Sequence, residues 1–442
     1  SPIDLGDLAL ASPQTSRSII VMSPVTEDPD TDVIKTLLAI TNDPTRRAEP
    51  YQIVTEIRDE RNIDVARLAS QGEAQLVLGG ELIGRIAAQT CRQPGLSIVY
   101  MELLDFDGDE IYFHQEPSLV GHAFGDALRL FRSSALIGVV PGGGQPRLNP
   151  PMDHVIGAED QLIFVAEDDD TMKREDPPDG MSREDLIVQR ESSRPSLERT
   201  LVLGWNSRTP GLLTELDRYV PDGSPILVIA GGPGMADQVE AVGRQLSRLK
   251  LSFRGGDTTD RSVLNAATAE GYEHVVVMSY SDMLDEQRAD ARTLVTLLHL
   301  RDIESQRGES FTIVSEMLDV RNRALAHVTR ADDFIVSGKL VSLAMSQLAE
   351  NPGLRGVFDD LFDEEGSEVY LKPAANYVKT GEPVDFYSVV ESARRRGEVA
   401  FGYRLLALAE DPSKAYGVVI NPDKAASVTF TEEDKIVVFA AD

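Results

Sequence analysis

The chain has 442 residues, enough for two to four domains at about 100–200 residues each and too many for one compact core. Asp and Glu number 73 against 43 Lys and Arg, and the resulting charge of -30 excludes a general nucleic-acid binder, which needs a basic footprint. The single cysteine, Cys91, excludes an internal disulfide and a cysteine-based zinc site, and no apolar run nears the ~18 residues that span a bilayer, so the stretch reads as soluble.

Taken in chain order, the predicted elements occur twice. First come IIVMS (Ile19 to Ser23), TLLAI (Thr36 to Ile40), IVTEIRDERN (Ile53 to Asn62) and LVLGGELI (Leu76 to Ile83). A small lobe over 111–168 follows and closes on AEDQLIFVAED (Ala158 to Asp168). The charged, Pro-containing stretch Glu167 to Ser196 has no periodicity and reads as a solvated linker. Beyond it the series returns as VVVMS (Val275 to Ser279), TLLHL (Thr296 to Leu300), IVSEMLDVRN (Ile313 to Asn322), FIVSGKLV (Phe334 to Val341) and EEDKIVVFAAD (Glu432 to Asp442). The decapeptides share six identities, and the spacing between copies drifts only from 256 to 274, so the collinear matches read as a tandem duplication.

The second copy is the more complete. Short Val-, Ile- and Leu-rich runs (Thr200 to Leu203, Pro225 to Ala230, Leu251 to Phe253, Glu273 to Met278, Phe311 to Ser315, Asp333 to Val336) alternate with helical patterns. Strands apolar on both faces and separated by helices predict a doubly wound, Rossmann-like parallel sheet. A helix is expected over Asp285 to Gln306, and a small α+β lobe from Glu368 with an amphipathic helix near Phe386 to Arg395. Ser1 aligns with Asp257, so the counterpart of Thr200 to Gly256 would precede this chain, and a longer polypeptide is expected. The expected domains are 1–110 (second half of a first large lobe), 111–170, a linker at 171–197, 198–367 and 368–442. Helices Gly79 to Cys91 and Gly338 to Glu350 are candidates for subunit contact.

Two α/β units in tandem, each a Rossmann-like lobe followed by a small lobe with N-P and E-D-x-L/I-x-V, resemble the regulator-of-potassium-conductance (RCK) domains of channel gating rings. RLNPPMDHVIGAEDQLIFVAEDDDT (Arg147 to Thr171), LVLGWN (Leu201 to Asn206), DARTLVTLLHLRDIESQR (Asp290 to Arg307) and GYRL (Gly402 to Leu405) look most like the CASTOR/POLLUX ion-channel family. The resemblance implies a homotetramer forming a ring of eight RCK units, an upstream transmembrane pore in the same polypeptide, and a place on the cytoplasmic side of a membrane. Two other readings stay open: a stand-alone RCK-type regulatory subunit of a potassium transporter, and a nucleotide-dependent oxidoreductase.

A dinucleotide site needs glycines that admit pyrophosphate at a helix start and an acid after the second strand. Here Gly204 is in place, Trp205 is bulky, and Ala230-Gly231-Gly232-Pro233 carries no carboxylate, which argues against NAD. Gly204, Asn206 and Arg208 are the residues left there for another anion. Three acidic groups are candidate cation ligands, since calcium takes six to eight oxygens. Glu102, Asp105, Asp107 and Asp109 lie at the first crossing from large to small lobe, and Asp359, Asp360, Asp363, Glu364 and Glu365 at the second. Calcium-gated RCK rings as a class bind ions with carboxylates near this crossing, so the resemblance points to Ca2+. Asp282, Asp285, Glu286 and Asp290 follow the fourth strand of the second copy, matched by Glu27, Asp28, Asp30 and Asp32 in the first. The histidines (His114, His122, His154, His274, His299, His327) are scattered, and no nucleophile elbow or Walker loop occurs, so no enzyme is expected.

Overall fold

The computed structural model describes residues 1–442 apart from 25, 191–196, 309, 323–324, 326–330, 363–365 and 442. Of the candidate residues, His327, Asp363, Glu364 and Glu365 lie outside the described ones.

The first unit opens with α1 (Leu5–Ala11), β1 (Ile19–Val21), α2 (Pro29–Thr41), β2 (Ile53–Ile57), α3 (Ile63–Ala69), β3 (Ala74–Leu78), α4 (Gly79–Arg92) and α5 (Leu96–Leu104). Its strands form a parallel sheet in the order β1-β2-β3. A small lobe follows with β4 (Glu110–His114), α6 (Phe124–Ala127), β5 (Ser134–Val140), β6 (Arg147–Leu148) and β7 (Gln161–Ala166), antiparallel in the order β4-β7-β5-β6.

The second unit begins β8 (Thr200–Leu203), α7 (Thr209–Tyr219), β9 (Pro225–Ala230), α8 (Met235–Gly243), β10 (Lys250–Gly255) and α9 (Arg261–Thr268). It continues through β11 (His274–Val277), α10 (Glu286–Arg307), β12 (Thr312–Met317), β13 (Asp333–Val336), α11 (Ser337–Glu350) and α12 (Leu354–Leu361). All six strands are parallel in the order β10-β9-β8-β11-β12-β13, which is the doubly wound arrangement the alternating pattern predicts. The small lobe comprises β14 (Glu368–Pro373), β15 (Pro383–Asp385), α13 (Phe386–Arg394), β16 (Val399–Arg404), β17 (Val418–Ile420), β18 (Ser427–Thr429) and β19 (Lys435–Ala440). Its main sheet runs β14-β19-β16-β17, the same topology as the first small lobe.

Local chemistry sets these boundaries. Helix α10 starts one residue after the expected Asp285, because that side chain caps the helix by accepting from the Arg288 N–H, and it stops at Gly308 in the left-handed region. In both small lobes the central strand bulges at a glycine. A Cβ on Gly138 would lie 2.5 Å from the Arg147 carbonyl oxygen, and one on Gly402 2.5 Å from that of Val419, so neither position accepts a side chain without opening the sheet.

One apolar cluster spans both units, and each large lobe has a further cluster of its own. Strand β3 passes into α4 at Leu78/Gly79 with no loop, and β13 into α11 at Val336/Ser337. With no residues in which to reverse, neither helix can fold back on its own sheet, so each crosses to the other unit. Helix α4 packs on α7 and against β11, β12 and β13, while α11 packs on β1, β2 and β3. Gly84 permits the closest approach, since a Cβ there would sit 3.1 Å from the Leu212 backbone nitrogen. These helices, candidates for subunit contact from the sequence, thus join the two units of one chain.

The stretch after β7 is not the solvated linker its composition indicates. Met172 and Leu186 are buried, Val188 N–H donates to Tyr377 O at 2.8 Å and Lys379 N–H to Leu186 O at 2.9 Å. Glu184 accepts from Arg395 at 2.6 Å. Its apolar residues are too widely spaced to register as periodic, yet its first part is bonded to the first small lobe, Glu175 N–H donating to Leu130 O at 2.8 Å, and its later part to the second.

Candidate functional site

The carboxyl edge of the six-stranded sheet is where such folds bind ligands, and here the chain fills it with its own groups. Glu316 on β12 is buried; its carboxylate accepts from Arg208 Nε at 2.6 Å, Asn206 Nδ2 at 2.7 Å and Ser279 N–H at 3.2 Å. Arg208 also donates to Ser281 Oγ at 3.0 Å. Asp282 occupies one backbone donor at the start of α7, accepting from Ser207 N–H at 2.6 Å. Gly204 has φ +96, and a Cβ would sit 2.2 Å from Met278 O, so this glycine serves the close approach to the chain beyond β11. Of Gly204, Asn206 and Arg208, expected for an anion, the two side chains are here engaged by a carboxylate of the same chain.

Glu56 holds the place of Glu316 in the first copy and lies between the units. Burial raises its affinity for a proton, opposed by Arg58 and by Arg208 from the second unit. A Cβ at Gly79 would lie 2.3 Å from its Oε1, so the glycine that opens α4 makes room for this carboxylate. Sequence reasoning missed both glutamates, although each occupies the fourth position of the repeated decapeptide.

The acidic groups after β11 and β1 have structural employment. Asp290 is fully buried and accepts from Leu318 N–H and Asp319 N–H at 3.0 Å each and from Asn322 Nδ2 at 2.8 Å. Asp30 repeats this with Arg58 N–H, Asp59 N–H and Asn62 Nδ2 at 2.9, 2.9 and 2.8 Å. Asp285 and Asp28 cap α10 and α2. Asp282, Asp285 and Asp290, expected as cation ligands, here accept from donors of the same chain, and for the buried Asp290 those donors would otherwise be orphaned.

The two crossings differ. At the second, Asp360 accepts from Leu148 N–H at 2.6 Å and Asp359 pairs with Arg355 one turn away, so these two do not converge. At the first, α5 ends in a loop fastened to the second unit: Asp105 pairs with Lys339 at 2.9 Å and Asp109 accepts from Asn421 at 2.7 Å. Glu102 has its proton affinity raised by burial and then by Asp105, with Lys339 opposing and Asp107 and Asp109 adding to it. Negative charge there exceeds its compensation. No preformed cluster of three or more metal-binding side chains exists among the described residues. At the first crossing Lys339 stands as a tethered cation against Asp105.

The small lobes meet across a third set of contacts. Lys424 is 2% exposed and its ammonium donates to the carbonyls of Phe131 and Ser134, both at 2.5 Å. Arg132 and Asp423 pair at 2.8 Å beside it. No sequence signal marks Lys424, because its partners are backbone atoms of the other unit.

Comparison with known proteins follows the same lines. A family described as "Castor and Pollux, part of voltage-gated ion channel" matches residues 80–179. The ion channel CASTOR of Lotus japonicus is 30% identical over 96% of this chain and 52% of that protein. The ion channel POLLUX of the same plant is 27% identical over 100% of this chain and 51% of its own length. A calcium-gated potassium channel, TvoK of Thermoplasma volcanium, is 26% identical over 35% of the chain and 41% of that protein. The chain therefore spans about half the length of the plant channels it matches. Among solved structures, the human SLO3 gating ring superposes with a TM-score of 0.69 at 14% identity, covering 99% of this chain and 90% of that one, so the fold is that of an RCK gating ring. No helix among the described residues is long and apolar enough to cross a membrane.

Proposed function

Since the chain is homologous over its whole length to the CASTOR/POLLUX ion channels, we propose that it is the ligand-sensing gating region of a cation channel, working as a ring of four chains beneath a pore carried elsewhere in a longer polypeptide. The whole-length match, on a gating-ring fold, carries this reading. The relatives are named as ion channels, and the carboxyl-edge crevice of the six-stranded sheet is filled by Glu316, which leaves no support for a nucleotide-dependent enzyme.

The gating ligand in this reading is a divalent cation, Ca2+ first, taken at the first crossing by Glu102, Asp105 and Asp107. When bound, the ion supplies positive charge where like carboxylates now repel. Asp105 then has a choice between the ion and Lys339 at the start of α11. Helix α11 lies on the first unit's sheet, so loosening that ion pair alters how the two units are held together. A ligand shifts such an equilibrium only by its differential affinity, of order 1–3 kcal/mol per site, and four coupled chains multiply the effect. Isothermal titration of Ca2+ tests this. Binding is expected that weakens at least about tenfold (~1.4 kcal/mol) in Glu102→Gln/Asp107→Asn. An absence of heat at millimolar Ca2+ would end the cation reading while leaving the family assignment intact.

A further inference from the structure

The junction of the small lobes buries a charge that the fold does not need. Aligning RLNP with VINP places Met152 opposite Lys424. The backbone agrees: Gly125 N–H donates to Met152 O at 2.9 Å in the first lobe, and Tyr387 N–H to Lys424 O at 3.0 Å in the second. Met152 packs on the apolar cluster, whereas Lys424 reaches into the other unit. An ammonium has three protons to donate. This one meets two acceptors, the carbonyls of Phe131 and Ser134, and among the described residues it has no ion pair. Two acceptors match the two N–H groups of a neutral amine.

The other ionisable groups at the junction are engaged elsewhere. Asp423 accepts from Arg132 at 2.9 and 2.8 Å, and both side chains are partly exposed. Asp385 accepts from Ser388 at the start of α13, and Asp109 accepts from Asn421, which also donates to Ser133 O. Glu175 acts with Arg132, Asp423 and Asp385 on Tyr387, whose buried hydroxyl has no partner. Of these groups Asp423 alone pulls on the Lys424 amine, and more weakly than burial pushes against it.

We propose that the small-lobe junction is a proton-operated latch, which closes on neutral Lys424 and opens as the exposed amine takes up a proton. Opening puts Nζ in water and returns it to its ordinary value of 10.5, against about 7 when buried. Between those values each fall of one pH unit raises the ratio of open to closed junction about tenfold. Below about pH 7 both forms are charged and the ratio is constant. The latch lies apart from the acidic crossing and does not depend on the cation reading.

Amide exchange of the Lys424 N–H, which donates to Arg132 O across the junction, tests this in the whole chain. Its protection, taken relative to an unstructured chain at the same pH, is expected to rise about fiftyfold from about pH 7 to about pH 9. It should stay below the protection of the β8 amides, since the latch opens without unfolding the large lobe. Lys424→Met should show protection that does not vary with pH, and Lys424→Arg, charged throughout, a constant and lower one. Asp109→Asn should keep the rise. Wild-type protection that is flat with pH, an equal rise in Lys424→Met, or protection equal to that of β8 overturns the proposal. A rise lost in Asp109→Asn assigns the proton to that carboxylate and overturns it as well.

Discussion

Replacing Lys424 by methionine isolates one buried charge at the junction of the small lobes. Burial pushes the amine from 10.5 down to about 7, against a smaller pull upward from Asp423. The unfolded chain keeps its proton to about 10.5, so between those values folding releases a proton and stability rises with pH. The slope is at most ~1.4 kcal/mol per pH unit, and the whole span is about 5 kcal/mol. Below about pH 7 the ammonium stays charged, and its bonds to Phe131 O and Ser134 O, worth ~1.5–3 kcal/mol each, offset the cost of burying it. Methionine has similar length and no titration. Urea unfolding of both proteins at several pH values between about 7 and 9.5 should show the wild type gaining more than ~2 kcal/mol relative to Lys424→Met. Parallel stability curves would refute the argument.

Asp290→Ala strands two backbone N–H groups and the Asn322 amide, so urea melts should show a loss of about 3 kcal/mol or more, and Asp30→Ala should behave alike. Gly402→Ala puts a methyl against Val419 O and should lower the melting temperature by several degrees, with a cost of about 2 kcal/mol. Glu102 has its folded-state proton affinity raised, so its contribution to stability is fully present below about pH 4 and lost as pH rises past the ordinary carboxylate range. Glu102→Gln should therefore raise the melting temperature at pH 7 without divalent ions and make no difference at pH 4.

The alternation of apolar strands with helices made the six-stranded sheet legible, because short runs apolar on both faces fit a sheet that helices cover on either side and little else. The repeated decapeptide was visible too, but its purpose was not: Asp30 and Asp290, some thirty residues upstream, accept its backbone and asparagine donors. Acidic composition did not reveal the donors that Asp282, Asp285 and Asp290 accept from, since a carboxylate that caps a loop looks the same in sequence as one that awaits a cation. Lys339 and Lys424 escaped notice because their partners lie in the other unit, and the exchange of α4 and α11 that brings the units together depends on two loop-free strand-to-helix junctions, not on any periodicity.

The central claim is that a divalent cation at the first crossing changes how the two units are set against each other. Spin labels at Leu68→Cys on α3 and Leu298→Cys on α10, both exposed positions, report that setting. Native Cys91 is buried with its thiol pushed up to about 12, and stays unlabelled. Pulsed electron–electron distance measurement should show the distribution shifting on addition of millimolar Ca2+, and no shift when Glu102→Gln and Asp107→Asn are added to the labelled chain. An identical distribution with and without Ca2+ would contradict the account.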